Sequence, residues 1–325
     1  MNVLLTSRCN RRCPYCFAAE RISYGDSRER AGPAPTFISD EDYGFALEFA
    51  RRSQHETIGV LGGEPSLHPR FPALLEQAWT AGLRTRVFSN GLWREPQIEA
   101  VKEAAARHPD HLQVIVNVNE PDITPADEAT RQAGTLAGLG QSCTLSFNLY
   151  RTDARMGFLL ELIEMHRLRR HIRLGLAQPL AGGASACIPV EQYRDAAAAV
   201  LELAAGADAR DVTIGFDCGF TLCMFTDEQL GTLWRAGVTF RASCGPAIDV
   251  GTDLSVWACF PLATLSQGAS LREFRDLRHL EQHFRERYGR LYRTGALEAC
   301  IDCKYLRRRQ CDGGCAAHVY RSVAA

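Results

Sequence analysis

A chain of 325 residues, 46% of them apolar, with a formal charge of −1, is long enough for one large domain or for a large domain and a small one. The near-neutral charge gives no general pull towards nucleic acid or anionic membrane, and no run approaches the roughly 18–20 apolar residues that span a bilayer. Residues 1–6 are too short for a signal peptide and are followed by Arg8, Arg11 and Arg12, so the sequence predicts a cytoplasmic protein.

Up to about residue 180 short apolar runs alternate with amphipathic stretches. The runs at residues 3–6, 57–61, 85–89, 113–118, 144–149 and 172–177 are β-branched or Leu-rich and of strand length, with little polar alternation. Such runs suit parallel strands covered on both faces. Helical patterns lie between them at residues 40–53 behind a Ser39 cap, 71–81 ended by Gly82, 96–107, about 125–137 and about 156–169. The Gly-, Pro- and charge-rich residues 24–35 are expected to form a surface loop. Six successive βα units predict an α/β fold, a partial (β/α)6 TIM-like barrel.

A further helix is expected at 190–205 and a further strand at 212–216, running into Asp217, Cys218 and Cys223. Residues 247–250 and 255–259 read as a β-hairpin around Gly251, Thr252 and Asp253. The remainder is Arg-rich, helical in pattern and closes on a dense cysteine group. This change of character divides the chain into a barrel, 1–210, and a small α+β domain, 211–325.

Working residues of such barrels collect at the C-terminal ends of the strands. Cys9, Cys13 and Cys16 follow the first predicted strand, Gly62, Gly63, Glu64 and Pro65 the second, and Ser89, Asn90 and Gly91 the third. Asn119 and Glu120 follow the fourth, and the fifth carries Ser146 and Asn148.

Thirteen cysteines in a chain without an export signal point to metal rather than to disulfides. Cys9, Cys13 and Cys16 have the spacing C-x3-C-x2-C, with Tyr15 just before the last. Three thiolates on one tight loop can hold three irons of a cubane and leave the fourth open, whereas zinc would take four protein ligands. This loop, together with Gly62, Gly63, Glu64 and Pro65 at the end of the second strand, resembles the radical S-adenosylmethionine (SAM) superfamily.

The resemblance implies a [4Fe–4S] cluster on Cys9, Cys13 and Cys16, with SAM chelating the open iron. It carries the methionine-contacting segment over to Gly62, Gly63, Glu64 and Pro65, where the glycines allow close backbone approach. It makes Ser89 and Asn90 candidates to face the cofactor. Asn117, Asn119, Ser146 and Asn148 become candidates for ribose and carboxylate contacts, and backbone at residues 174–177, including Leu176, for adenine. Tyr15 and Phe17 would pack around the cluster. The implied reaction is one-electron cleavage of SAM to a 5′-deoxyadenosyl radical, which abstracts hydrogen from an unactivated C–H bond.

A second cysteine system follows. Cys244 and Cys259 bracket the hairpin, and Cys300, Cys303, Cys311 and Cys315 close the chain. This resembles the SPASM or shorter twitch extension of radical SAM enzymes, which holds one or two auxiliary clusters. The sequence departs from that pattern in Leu254 where a glycine stands, in a middle spacing of seven rather than five, and in the absence of a cysteine after Cys315. The implied ligands are Cys244, Cys259 and Cys315 with Cys218 or Cys223, and Cys300, Cys303 and Cys311 with the remaining one or an open site. Zinc is the competing metal, because C-x2-C followed by C-x3-C can also form a zinc ribbon. Cys143 and Cys187 are read as free thiols.

Asp217 stands where a general base, a substrate contact or a turn residue would stand, and Glu120 has the same standing. Arg307, Arg308 and Arg309 read as a solvated face that could also dock an acidic electron donor, and His318 as a surface histidine rather than a replacement ligand.

Auxiliary clusters in the family accept an electron from substrate, which implies net oxidation of a ribosomally made peptide by crosslinking, thioether formation or dehydrogenation. A small-molecule radical SAM oxidase acting on a sugar or aminocyclitol is the alternative, and a non-catalytic iron–sulfur or zinc protein a third reading. A barrel that begins at residue 1 leaves no leader-binding domain ahead of it, which weakens the peptide reading without excluding it. The expected partners are the substrate and a flavodoxin- or ferredoxin-type electron donor, with neither nucleic acid nor membrane.

Overall fold

The apolar runs fold into strands because β-branched and leucine side chains pack well on a pleated surface that helices cover. The computed structural model describes residues 1–24, 36–181, 185–266 and 268–324. Of the loop expected over residues 24–35, only Tyr24 and no other residue lies within the described residues. In chain order the strands are β1 (Asn2–Leu4), β2 (Arg8–Cys9), β3 (Ser23–Tyr24), β4 (Thr57–Leu61), β5 (Arg84–Ser89) and β6 (Leu112–Asn117). They continue with β7 (Cys143–Leu149), β8 (His171–Leu176), β9 (Thr213–Phe216), β10 (Asp249–Val250) and β11 (Val256–Trp257).

Nine strands form one sheet in the order β11-β10-β1-β4-β5-β6-β7-β8-β9, and β2 pairs separately with β3. All neighbours in the large sheet run parallel except the hairpin pair β10–β11. The six predicted barrel strands are its contiguous middle. The sheet ends on β11 and β9, so the barrel is partial.

Both edges come from residues beyond 210. β9 pairs with β8, and β10 pairs with β1, placing Asn2 opposite Asp249 with a 2.7 Å bond from the Asn2 amide to the Asp249 carboxylate. The principal hydrophobic core likewise takes in Val3 and Ile58 together with Phe284 and Ala317.

The helices are α1 (Asp40–Arg52), α2 (Phe71–Thr80), α3 (Glu95–Arg107), α4 (Ala126–Leu139), α5 (Phe158–His166) and α6 (Ala197–Asp208). Beyond them lie α7 (Asp227–Arg235), α8 (Leu277–Tyr288), and the short α9 (Leu291–Thr294), α10 (Lys304–Arg307) and α11 (Ala316–Ala324). Ser39 caps α1 as expected, its hydroxyl accepting from the Asp42 N–H at 3.0 Å. Two helices differ from expectation. α5 stops at His166 because Arg167 takes a left-handed conformation (φ 50°). α6 begins only at Ala197, because the chain after Pro189 first makes tight three-residue turns, with Gln192 bonded to Pro189 and Ala196 to Tyr193.

Strand alternation separates two faces. Val87, Val114, Leu145, Ile172 and Ile214 are buried against the helices. On the other face Asn117, Ser146, Arg173 and Gly215 stand side by side in register across β6–β9. The lumen side thus carries polar and charged side chains, Ser146 buried and Asn117 and Arg173 half-buried, on strands covered on both faces as expected.

Candidate metal and cofactor site

The cysteine loop leaves the sheet at β2, where Cys9 pairs with Tyr24 of β3. It folds back through tight turns, Cys16 N–H to the Cys13 carbonyl (3.2 Å) and Ala19 N–H to the Cys16 carbonyl (3.4 Å). Cys9 is buried and Cys13 and Cys16 half-buried. Burial is the main cause that pushes the Cys9 thiol up to about 12 and Cys13 to about 11, and it raises Cys16 too. Each of Cys9 and Cys13 is raised further by its cysteine neighbours, while the Arg11 guanidinium draws Cys13 down.

The segment after β4 rests directly on this loop. The Gly63 N–H donates to the Thr6 carbonyl (2.9 Å) and the Glu64 N–H to the Arg8 carbonyl (2.7 Å). A Cβ at Gly63 would lie 2.3 Å from the Arg8 carbonyl oxygen and 2.8 Å from the Cys9 nitrogen, and one at Gly62 2.9 Å from the Thr6 oxygen. Only glycine permits that approach. Pro65 is buried and opens a single 3-10 turn.

Glu64 is fully buried. Its carboxylate accepts from the Ser66 N–H (3.1 Å), the Ser89 hydroxyl (2.8 Å) and the Asn90 N–H (2.8 Å). Burial raises its pKa, and those donors oppose the shift. The Ser89 oxygen also accepts from the Gly91 N–H (2.9 Å) and the Trp93 indole (2.8 Å). The side chains of Glu64 and Ser89, expected to face SAM, are thus bonded to each other where the ends of β4 and β5 meet, because a buried carboxylate collects every donor within reach. The Asn90 amide donates to Asn10 in the cysteine loop (2.8 Å).

Tyr15, Asn117, Asn119 and Asn148 form one chain of hydrogen bonds. The Tyr15 hydroxyl donates to Asn119 and accepts from the Asn117 amide (2.8 Å), whose oxygen accepts from Asn148 (2.8 Å). Tyr15 also packs against Tyr150 at 5.1 Å between ring centroids. Ser146 accepts from Arg173 (2.9 Å), and the same guanidinium is paired with Asp217 and lies over Phe88 at 5.5 Å. Arg173 was not singled out from sequence, although its place in a strand between apolar neighbours was a signal for a lumen-facing cation. Glu120 is buried and bonded to Arg151 (2.6 Å) and to the Arg155 N–H (3.1 Å), the arrangement of a loop anchor. Leu176 is buried, and its carbonyl accepts from Gln178 (3.2 Å). The loop after β8 closes on the cysteine loop through the Ala186 N–H and the Pro14 carbonyl (2.9 Å).

Eight further cysteines fall into two sets according to which thiols feel one another's charge. Burial first, then Asp217, Cys315 and Cys244, raise Cys218; burial, then Cys315 and Cys244, raise Cys259. Cys315 is pushed up to about 12 by burial and Cys244. In the other set burial raises Cys300 and Cys311, with Cys223 and Cys303 adding to the first and Cys223 and Cys300 to the second. By that criterion Cys218, Cys244, Cys259 and Cys315 lie in one neighbourhood, where Cys187 also raises Cys315, and Cys223, Cys300, Cys303 and Cys311 lie in another. Asp312 ties them together, accepting from the Cys244 N–H (2.7 Å) and donating its own N–H to the Ala242 carbonyl (2.8 Å). Gly295 and Gly313 close over Cys300, whose sulfur would lie 2.7 Å and 3.2 Å from a Cβ at each.

Among the described residues no three His, Cys, Asp or Glu side chains converge as the ligands of a single ion do; the thiolates of a cubane stand on separate irons. Cys143 is buried in β7 and pushed up to about 12 by burial. Cys187 lines a cavity of about 250 Å³ with His318, Glu191 and Arg321. His318 is not a surface residue as expected. It is half-buried beside the Tyr193 hydroxyl (3.2 Å), and burial lowers its pKa to about 4.

Residues 3–136 match the model of the Radical SAM superfamily. This stretch is a radical SAM domain. The chain is accordingly a SAM-dependent enzyme. Its fold is similar to that of Streptococcus suis SuiB, solved bound to precursor peptide SuiA (13% identity, 98% of this chain and 72% of that one, TM-score 0.67) and bound to S-adenosylmethionine (14%, 98% and 73%, 0.66). It is also similar to anSMEcpe with bound AdoMet (14% identity, 97% and 88%, 0.67). At these identities the likeness establishes the fold. No described helix is long and apolar enough to cross a membrane.

A radical SAM domain implies SAM and a [4Fe–4S] cluster, and the residues present fit both. Cationic iron would stabilise as thiolates three desolvated thiols that resist ionisation in the protein alone. Arg11 is buried between Cys9 and Cys13, held by Glu128 at 2.7 Å, and its Nη2 has no partner among the described residues. It would offer a spare donor to a cluster held on this loop. The Gly62 and Gly63 carbonyls accept no hydrogen bond from described backbone and would be open to the ammonium donors of SAM.

Proposed function

We propose that this chain is a radical SAM enzyme of the SPASM or twitch kind that carries out a net oxidative modification of a ribosomally made peptide. The observation that carries the reading is a radical SAM domain followed by Cys244 and Cys259 around a hairpin and by Cys300, Cys303, Cys311 and Cys315, with Cys218 and Cys223 beside them in the fold. Cys9, Cys13 and Cys16 would hold the first cluster. Cys218, Cys244, Cys259 and Cys315 would hold one auxiliary cluster, and Cys223, Cys300, Cys303 and Cys311 another, with four thiolates available to each.

A cluster with SAM supplies reductive cleavage of SAM and hydrogen abstraction from an unactivated C–H bond. The chain's own residues position and shield. Gly62 and Gly63 offer carbonyls to SAM, and Glu64 keeps their segment against the cysteine loop through Ser89 and Asn90. Tyr15, Asn117, Asn119 and Asn148 would line the cofactor's polar side as an already ordered network. Leu176 would border the adenine, and the loop after β8 helps to exclude water where it closes on Pro14. Arg173 and Asp217 would meet the substrate in the lumen, with Ser146 fixing the guanidinium. A peptide bound by SuiB, a protein of the same fold, supports a peptide as substrate.

Anaerobic reconstitution tests the reading. Wild type should hold about twelve irons, and Cys218→Ser and Cys223→Ser should affect different clusters, each lowering the count towards about eight. Incubation with a candidate precursor peptide should yield a product lighter by two hydrogens. A count of about four irons in wild type, or zinc in their place, refutes the auxiliary clusters.

A further inference from the structure

The cysteine loop and the residues grouped with it lie towards the C-terminal ends of the strands. At the other end Asn2, Gly59, Arg86 and Phe88, with residues 55–57 at the start of β4, line a cavity of about 350 Å³, a size that suits a small ligand group. Arg86 stands in register between Gly59 of β4 and Gln113 of β6. It is exposed, and its Nε donates to the Gln113 side-chain oxygen (2.9 Å). Among the described residues it meets no carboxylate within ion-pair reach, and the acids around it are taken. Glu56 pairs with Arg84 (2.5 Å), Asp249 accepts from Asn2 (2.7 Å), and Asp217 is paired with Arg173. His171, two residues before Arg173 on β8, is bonded to the Thr213 hydroxyl (2.8 Å), and burial, then Arg169, lower its pKa, so it adds no charge at neutral pH.

An arginine at the end of a sheet is ordinarily a solvated cation. Phe88 ties this one to the lumen, because its ring lines the cavity and also lies beneath the Arg173 guanidinium (5.5 Å to the centroid). Burial first, then Arg173, lower the Arg86 pKa, and Asp217 opposes them. Two guanidiniums thus share the field of one carboxylate, which leaves this wall with a surplus of positive charge. We propose that this end of the lumen is a carboxylate subsite, in which Arg86 anchors an acidic side chain of the substrate peptide. The inference rests on reading the substrate as a peptide. The planar guanidinium fork matches both oxygens of a carboxylate, whereas an amide of the same shape would turn a donor towards it. Arg86 lies three residues before Ser89, about 10 Å along β5. An acidic side chain held there would therefore set the register of the peptide against the cofactor end.

The test titrates reconstituted holoenzyme with SAM, anaerobically and by ligand-observed NMR. The probes are acetylated and amidated Gly-Gly-Glu-Gly-Gly, its Gly-Gly-Gln-Gly-Gly counterpart, and glutarate. Wild type should bind the Glu peptide about tenfold or more tighter than the Gln peptide. Arg86→Gln should erase that preference and Arg86→Lys should keep part of it. Arg107→Gln, which removes an exposed pair with Glu76 on α3, should keep all of it. Iron content should match wild type in each variant, and the comparison of the two peptides on wild type stands even where a variant fails to fold. Equal binding of the Glu and Gln peptides by wild type overturns the subsite, as does a Glu preference that survives Arg86→Gln. So does wild type that binds none of the three probes. Glutarate held through Arg86 by an enzyme that takes neither peptide upholds the carboxylate subsite and refutes the peptide reading beneath it, so the two failures are told apart.

Discussion

Glu64 offers a sharp test of how the site is built. Its carboxylate accepts three donors from the ends of β4 and β5, the Ser66 N–H, the Ser89 hydroxyl and the Asn90 N–H, and has no exposure. Glu64→Gln keeps the volume but turns one oxygen into an NH2 group, so at least one buried donor faces another donor. Leaving one buried group unsatisfied costs about 1–3 kcal/mol. Glu64→Ala orphans all three and adds a cavity, for about 3–5 kcal/mol. Thermal melts of the protein without SAM, at fixed iron content, should rank wild type above Gln above Ala, with falls of several degrees per step. Adding SAM should stabilise every variant that still folds, because the carboxylate is occupied elsewhere. If Glu64→Ala melts like wild type without SAM and loses only the stabilisation by SAM, Glu64 contacts the cofactor and the anchor argument is wrong.

Other consequences follow from single contacts. Gly63→Ala forces a Cβ to 2.3 Å from the Arg8 carbonyl and should lower iron incorporation at the first cluster, whereas Gly134→Ala in α4, with nothing within 4 Å, should not; equal iron in both contradicts the close approach. Asp249 is buried on β10 and raised by that burial from 3.8 to about 6, opposed by the bond from Asn2. A carboxyl raised on folding favours the folded state most below about pH 4 and loses that contribution as pH climbs to about 6, a difference of about 3 kcal/mol. The stability of Asp249→Asn relative to wild type should therefore rise by about 3 kcal/mol between about pH 4 and pH 8, whatever the amide's fixed cost against the Asn2 donor; denaturant titrations in which that difference is flat or falls with pH would refute it. Arg173→Met and Asp217→Asn should couple in a double-mutant cycle by about 1 kcal/mol or more, and additivity within about 0.3 kcal/mol would mean that the lumen pair contributes nothing.

Much of this was legible in the sequence, and for a physical reason. Strands β4 to β8 are dense apolar runs whose positions depend on local pattern, and they fall within a residue or two of the expected ranges. The cysteine loop and Gly62-Gly63 were legible because tight spacing and missing side chains are themselves chemical signals. What escaped depended on contacts between distant segments. That β10 pairs with β1, so that residues beyond 210 complete the sheet, is a register between positions almost 250 residues apart. The Glu64 motif does not tell which way the carboxylate turns, and its bonds to Ser66, Ser89 and Asn90 depend on how the ends of β4 and β5 pack. Arg173 was hidden in a strand read as buried on both faces, and only the barrel's curvature makes that face a lumen. Spacing alone left Cys218 and Cys223 interchangeable, because which thiols each one neighbours depends on how distant segments pack.

The central claim is that Cys9, Cys13 and Cys16 hold a cluster that cleaves SAM. The direct measurement is formation of 5′-deoxyadenosine and methionine from SAM by anaerobically reconstituted, dithionite-reduced protein, beside Cys9→Ala/Cys13→Ala/Cys16→Ala. Both products should appear with wild type, and the triple variant should make neither while keeping its auxiliary iron. Reduced, iron-replete wild type that leaves SAM intact, or a triple variant that still cleaves it, would contradict the account.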